Sequence, residues 1–253
     1  MPIQSLVLLL QDLPPEIILG FEYALCALTI LGMVRFFGKA GLFTYIALAV
    51  VIGNLQVLKA AHFTYLSFPV ALGTIVFSST FLASDILTEF YGASQARKAV
   101  WVGFTAYLVM TLFMILTLGI KPAPTSDDSF LAVHNAIQLL FSPAPALFMA
   151  SLISYALSQY TDIWVFQAIR HLTGTKWLWL RSLISSLGSA LLDNILFSTL
   201  AWVIFNPTPV SFEQLIFIYI LGTYTFRIIV TLLQTPLMYG VRMFIKQDSY
   251  AKL

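Results

Sequence analysis

Charge is what this chain has least of. Only 9% of its 253 residues are Asp, Glu, Lys or Arg, against 59% apolar ones. Soluble domains carry about 25% charged residues, so an ordinary water-soluble fold is excluded and an integral membrane protein is indicated. Cysteine is nearly absent: Cys26 is alone, forms no internal disulfide, and reads as packing within an apolar run. The three histidines, His62, His134 and His171, fall in or near loops without metal-site spacing. There is no Gly-rich phosphate loop, no His-Glu-x-x-His, no cysteine cluster and no Gly-x-Ser-x-Gly elbow. No cofactor, no metal, no resident ATPase and no hydrolytic chemistry are therefore expected. An intramembrane enzyme acting on lipid or prenyl substrates lacks its usual acid-rich signature. Residues 1–11 have no basic start and the Leu6–Leu10 run is short, so no cleavable signal peptide is expected.

What is present is hydrophobic length. A membrane-crossing helix needs roughly 20 mainly apolar residues, and seven segments qualify: about 17–37, 42–60, 66–87, 99–120, 146–169, 178–205 and 214–240. Pro14-Pro15 precedes the first, where proline is tolerated. The expectation is an all-α polytopic membrane protein, one transporter-sized domain over 1–253, with a bundle of seven transmembrane helices. The longest connection, 121–145, carries a short amphipathic piece at His134–Phe141, expected as a plain surface helix, or as one lying on the membrane or capping a cavity mouth. Glycines and serines in the spans permit close helix packing, within one chain or in a homodimer.

Basic residues set the orientation. Loops on one side hold Arg35, Lys39, Arg97, Lys98, Arg170, Lys176, Arg181, Arg242, Lys246 and Lys252; the other side holds only Lys59 and Lys121. The second side also carries Asp12, Glu16, Asp127, Asp128 and Glu213. The amino terminus and the 121–145 loop are predicted outside, the carboxyl terminus in the cytoplasm. Trp101, Trp177, Trp179 and Trp202 fall near span ends, as an aromatic belt requires.

The few charges inside the spans carry the functional signal, because a charge at the centre of a membrane helix costs about 2.5–3.5 kcal/mol on insertion scales. Helical periodicity aligns Ser78, Asp85 and Glu89 in the third span, and Tyr155, Gln159, Asp162 and Phe166 in the fifth. It aligns Ser186, Ser189, Asp193 and Phe197 in the sixth, with Asn194 adjacent, and Thr223, Arg227, Thr231 and Gln234 in the seventh, with Tyr224 beside them. Four polar stripes are best satisfied by a shared interior. A buried ion-pair network that fixes helix register is the competing reading for Arg227 and one aspartate. Glu22 is close enough to the outer surface to snorkel. The fourth span has no ionisable residue between Trp101 and Ile120, so it is expected to face lipid. A weak internal echo links Ala-Ser-Asp85-Ile-Leu with Gln-Tyr-Thr-Asp162-Ile-Trp; both helices run outside to inside, as in a parallel repeat.

The block Phe81-Leu-Ala-Ser-Asp85-Ile-Leu-Thr-Glu89-Phe-Tyr-Gly92, followed by Ala96-Arg97-Lys98, resembles the signature of the queuosine precursor transporter family, also called the vitamin uptake transporter family. The resemblance continues from Ala150 through Tyr155, Gln159 and Asp162 to Phe166, then Trp179-Leu-Arg181, Ser185-Ser, Asp193 and Phe197. It ends with Tyr224-Thr-Phe-Arg227 and Thr235-Pro-Leu-Met-Tyr239, and covers roughly 50–245. Arg227 stands where relatives usually have lysine, Ala146 where they have arginine, and the helix within 1–40 is an addition to their common six.

The resemblance implies a multi-pass plasma (inner) membrane importer of a 7-deazaguanine base, queuine or its aminomethyl or cyano precursor, for tRNA modification. Its partners would be that small molecule and the bilayer, with no direct nucleic-acid contact. The residues suit such a ligand: carboxylates accept the paired N–H groups of a guanine-like edge, Arg227, Gln159 or Asn194 can donate to its carbonyl, and Tyr155, Phe166 or Tyr224 can stack on its ring. Asp162, Asp193 and Arg227 are expected to contact substrate, with Asp85 and Glu89 at the cytoplasmic end of the path. The alternative is a substrate-binding subunit of an energy-coupling-factor vitamin transporter, which needs a separate ATPase module.

Overall fold

A computed structural model describes residues 3–64, 69–122, 128–141, 145–174, 176–206 and 208–245. Lys246, Lys252 and Asp127, used above to orient the chain, lie outside these residues. The chain is built from helices α1 (Ile3–Gln11), α2 (Pro15–Gln56), α3 (Thr74–Phe90), α4 (Ala93–Gly119), α5 (Asp128–Phe141), α6 (Pro145–Thr173) and α7 (Leu178–Thr199). The last part comprises α8 (Phe212–Gln214), α9 (Thr223–Gln234) and α10 (Leu237–Val241). Two π-helical segments, Leu200–Ile204 and Leu215–Gly222, continue α7 and join α8 to α9. Among the described residues, four helical runs are long and apolar enough to cross a membrane: Pro15–Gln56, Ala93–Gly119, Leu178–Ile204 and Phe212–Val241. The expected all-α membrane architecture is thus present.

Gly38 breaks α2 with φ 58° and ψ −134°, a conformation that a side chain would resist. The halves 15–37 and 39–56 then fold back on each other: a Cβ on Gly41 would collide with the Met33 carbonyl, and Gln56 reaches Glu22. That second contact gives Glu22, expected to reach toward the outer surface, a partner within the chain. Its Oε1 accepts a 2.5 Å hydrogen bond from Gln56 Nε2, so a neighbouring helix rather than the surface satisfies it.

The third hydrophobic run behaves differently from its hydropathy. Where a helix is expected through 69–73, strands β1 (Ala60–Ala61) and β2 (Val70–Ala71) pair antiparallel, and Gly73 at φ 87° admits the chain to α3 only at Thr74. Nearly every residue of α3 is buried, polar ones included. It is the central helix, packed against α2, α4, α6, α7 and α9. Because the neighbours surround it, its serines, threonines and acids must find partners inside the bundle. α4 presents Trp101, Leu112, Phe113 and Leu116 outward, as a lipid-facing helix would, while Ala96, Ala99 and Gly103 pack inward. α5 begins earlier than the expected amphipathic piece; Phe130, Leu131, Val133 and Leu139 are exposed along it.

Candidate functional site

A cavity of about 380 Å³ lies between α3, α6, α7 and the π segment before α9, with the β1–β2 hairpin contributing to its wall. Its size suits a small flat ligand. The wall is mainly apolar and aromatic, with Phe77, Phe197, Trp202 and Tyr219 among the lining side chains. Trp202 and Tyr219 stack at 5.0 Å between ring centroids.

One ion pair is set into this wall. Arg227 Nη2 donates to Asp193 Oδ2 at 2.6 Å, and Ser158 Oγ donates to Asp193 Oδ1 at 3.2 Å. Arg227 Nε and Nη1 are buried and have no protein acceptor; the Tyr155 hydroxyl has none either, but it points away from the cavity, toward Gly103 of α4 and Val50 and Ile46 of α2. Leaving a buried donor unmade costs about 1–3 kcal/mol, so the site is short of acceptors that a ligand can supply. Of the residues singled out from sequence, Tyr155, Asp193, Asn194 and Arg227 line this cavity. Asn194 is partly committed: its Nδ2 donates to Thr223 Oγ1 at 2.8 Å and to the Ile220 carbonyl at 3.2 Å.

The other six sit elsewhere. Gln159 donates to Thr80 Oγ1 at 2.8 Å, tying α6 to α3. Tyr224 donates to the Leu187 carbonyl at 3.1 Å. Phe166 is fully buried beneath the Arg181 guanidinium, 5.6 Å from ring centroid to Cζ, so its face is already occupied. Glu89 is held by Arg181, with Nη2 to Oε1 at 2.6 Å, and Arg170 Nε stands 4.0 Å from Oε2. Asp85 accepts from Ser182 at 2.5 Å, Ser186 at 3.2 Å and Ser185 at 3.4 Å, and faces Asp162. The two echoing sequence blocks therefore meet at their aspartates.

Arg181 is the residue most misread from sequence. Counted with the surface basic residues, it is in fact fully buried, with Nη1 donating to the carbonyls of Gly174 and Lys176. Its spacing one residue before the serine stripe Ser182, Ser185 and Ser186 marks the inward face of α7. Trp202, taken as part of an interfacial belt, lines the cavity instead.

Residues 71–241, which include every helix that lines the cavity, match the family described as "Putative vitamin uptake transporter". The chain belongs to this vitamin uptake transporter family. A "Probable queuosine precursor transporter" of Bacillus subtilis (strain 168) is 36% identical over 214 residues, covering 84% of this chain and 88% of that protein. No solved structure matches. As a member of the vitamin uptake transporter family, with apolar helices of crossing length, the chain is a multi-pass membrane transporter.

Proposed function

We propose that this transporter imports a 7-deazaguanine queuosine precursor across the plasma membrane, binding it in the cavity beside Arg227 and Asp193. The observation that carries the reading is the incompletely satisfied Arg227–Asp193 pair on an otherwise apolar, aromatic wall. The free guanidinium N–H groups suit the ring carbonyl of a deazaguanine, the Asp193 carboxylate suits its neighbouring N–H donors, and Trp202, Tyr219 and Phe77 suit its flat faces. The name of the Bacillus subtilis relative supports the ligand class. The chain transports without chemical conversion and is not an enzyme.

The seven-span reading counts the two halves of α2, then α3, α4, α6, α7 with its π extension, and 212–241. The amino terminus lies outside. Exposed Arg35, Lys39, Arg97, Lys98, Lys176 and Arg242 at one end of the bundle support that orientation. It puts the cavity on the extracytoplasmic side, between the hairpin and the bundle centre, and the Glu89–Arg181 pair on the cytoplasmic side.

The test is uptake of radiolabelled queuine and its two precursors into liposomes containing only the purified chain. Saturable uptake that Asp193→Asn reduces at least tenfold supports the reading. Uptake that appears only when an ATPase module copurified from native membranes is added returns the energy-coupling-factor alternative. Absence of binding to all three bases in a thermal-shift assay sinks the ligand class.

A further inference from the structure

Beside the cavity, Asp85 of α3 and Asp162 of α6 form a second polar centre that substrate contact does not use. Both side chains are fully buried. Three serines of α7 aim hydroxyls at Asp85, whereas neither oxygen of Asp162 has a hydrogen bond of ordinary geometry, with Ser185 and Asp85 as its polar neighbours. Among the described residues, no cation pairs with either acid. On the elements packed around them, Arg181 and Arg170 are engaged with Glu89, Arg227 with Asp193, and the Tyr45 hydroxyl of α2 with Ser79; Arg97 and Lys98 of α4 are exposed. Two ionised carboxylates side by side in a dry interior would each lose hydration and repel the other. A single bound proton removes one charge and supplies the donor that Asp162 lacks. The serines point donors at Asp85 rather than lone pairs at a common centre, which suits a shared proton better than a metal cation.

We propose that the Asp85–Asp162 pair binds one proton and couples its movement to transport, an inference that rests on the transport reading above. The proton enters as one of the two carboxylates becomes a carboxylic acid and leaves by the reverse step; no other bond changes. Two helices join this centre to the cavity. On α6, Asp162 follows Ser158, the donor to Asp193, by one turn or about 6 Å. On α7, Ser186 precedes Asp193 by two turns, or about 10 Å. Loss of the proton sets α3 and α6 repelling each other, and that strain reaches Asp193 through the α6–α7 interface. Proton and substrate thus act on the same helix pair.

The experiment has two arms. In the first, infrared spectra of the purified chain without substrate are titrated with acid and base. A protonated-carboxyl band at neutral pH that disappears in Asp162→Asn is the expected result; a wild-type chain without that band overturns the proposal whatever the substrate is. In the second, liposomes with a trapped pH dye are given an acidic outside medium. Wild type should accumulate the cyano precursor, the candidate base without a cationic amine, about tenfold per pH unit, the limit for one proton per neutral substrate, with dye acidification on substrate addition. In Asp162→Asn the ratio of uptake with and without the gradient should fall to about one, and Asp162→Glu should restore it. Gradient-independent uptake by wild type, or accumulation driven by sodium instead, overturns the coupling while leaving the transport reading standing. Failure of any deazaguanine to bind or exchange, with the infrared band present, sinks the transport reading and the coupling built on it, and leaves the proton site.

Discussion

Glu89 and Arg181 are joined across α3 and α7 by a 2.6 Å contact with both side chains withdrawn from solvent. The guanidinium also caps carbonyls of Gly174 and Lys176 and covers Phe166, so one side chain ties the α6–α7 turn, α3 and α6 together. Removing one partner of such a buried pair leaves an uncompensated charge. Arg181→Met is expected to destabilise the protein by about 3–5 kcal/mol, seen as loss of monodisperse protein and a lower unfolding temperature in detergent. Adding Glu89→Gln should recover much of the loss. Wild-type thermal stability in Arg181→Met would show that the pair holds nothing.

Arg227→Lys keeps the charge and loses the planar fork. A lysine can still meet Asp193, but not also present two directed donors to a ligand. The variant should fold normally and bind queuine roughly tenfold more weakly, the loss of about one charge-assisted hydrogen bond. Isothermal titration against wild type measures it; equal affinity would place the ligand away from Arg227.

The unpartnered hydroxyl of Tyr155 gives a cleaner separation of binding from folding. Tyr155→Phe removes a buried group that no protein atom satisfies, so stability should hold or rise. Because the hydroxyl lies against Gly103, Val50 and Ile46 and not against the cavity, ligand affinity should stay within about twofold of wild type. The measurement pairs an unfolding curve with a binding curve on the same sample.

These side chains also show what could be read before any coordinates. Hydropathy located most helices to within a few residues, because apolar length is a property of one segment at a time. The face shared by Asp193 and Arg227 was legible for the same reason: periodicity orients each stripe, and two opposite charges at similar depth have a strong reason to meet. The start of α3 was not legible, since Pro69, the hairpin and Gly73 interrupt a run that remains apolar throughout. Nor was the burial of Arg181, because a basic residue next to a turn looks like a surface marker until its carboxylate partner from another helix is known. Phe166 and Trp202 exchanged roles for a similar reason. Periodicity says which side of a helix a ring occupies, but only packing says whether a cation or a cavity faces it.

Gly103 tests the seating of Tyr155 from the opposite side. A Cβ there would lie 2.5 Å from the Tyr155 hydroxyl, and 3.1 and 3.2 Å from Val50 and Ile46. Gly103→Ala should therefore cost about 1–3 kcal/mol through overpacking, despite replacing glycine within a helix. In the Tyr155→Phe background the cost should shrink, a coupling of about 0.5–3 kcal/mol in a double-mutant cycle. Strictly additive unfolding free energies would mean that the ring and α4 do not press on one another.

The π segment Leu215–Gly222 is fastened to α7 in an unusual way. Asn194 and Ser198 reach the main-chain oxygens of Ile220 and Tyr219 rather than their side chains. A joint made through the backbone is indifferent to what projects from it. The cavity-facing side chain Ile218 can accordingly be rewritten without loosening this joint, whereas the Tyr219 ring also holds Trp202 by stacking. Ligand preference in this fold can thus drift one residue at a time while the architecture around it stays fixed.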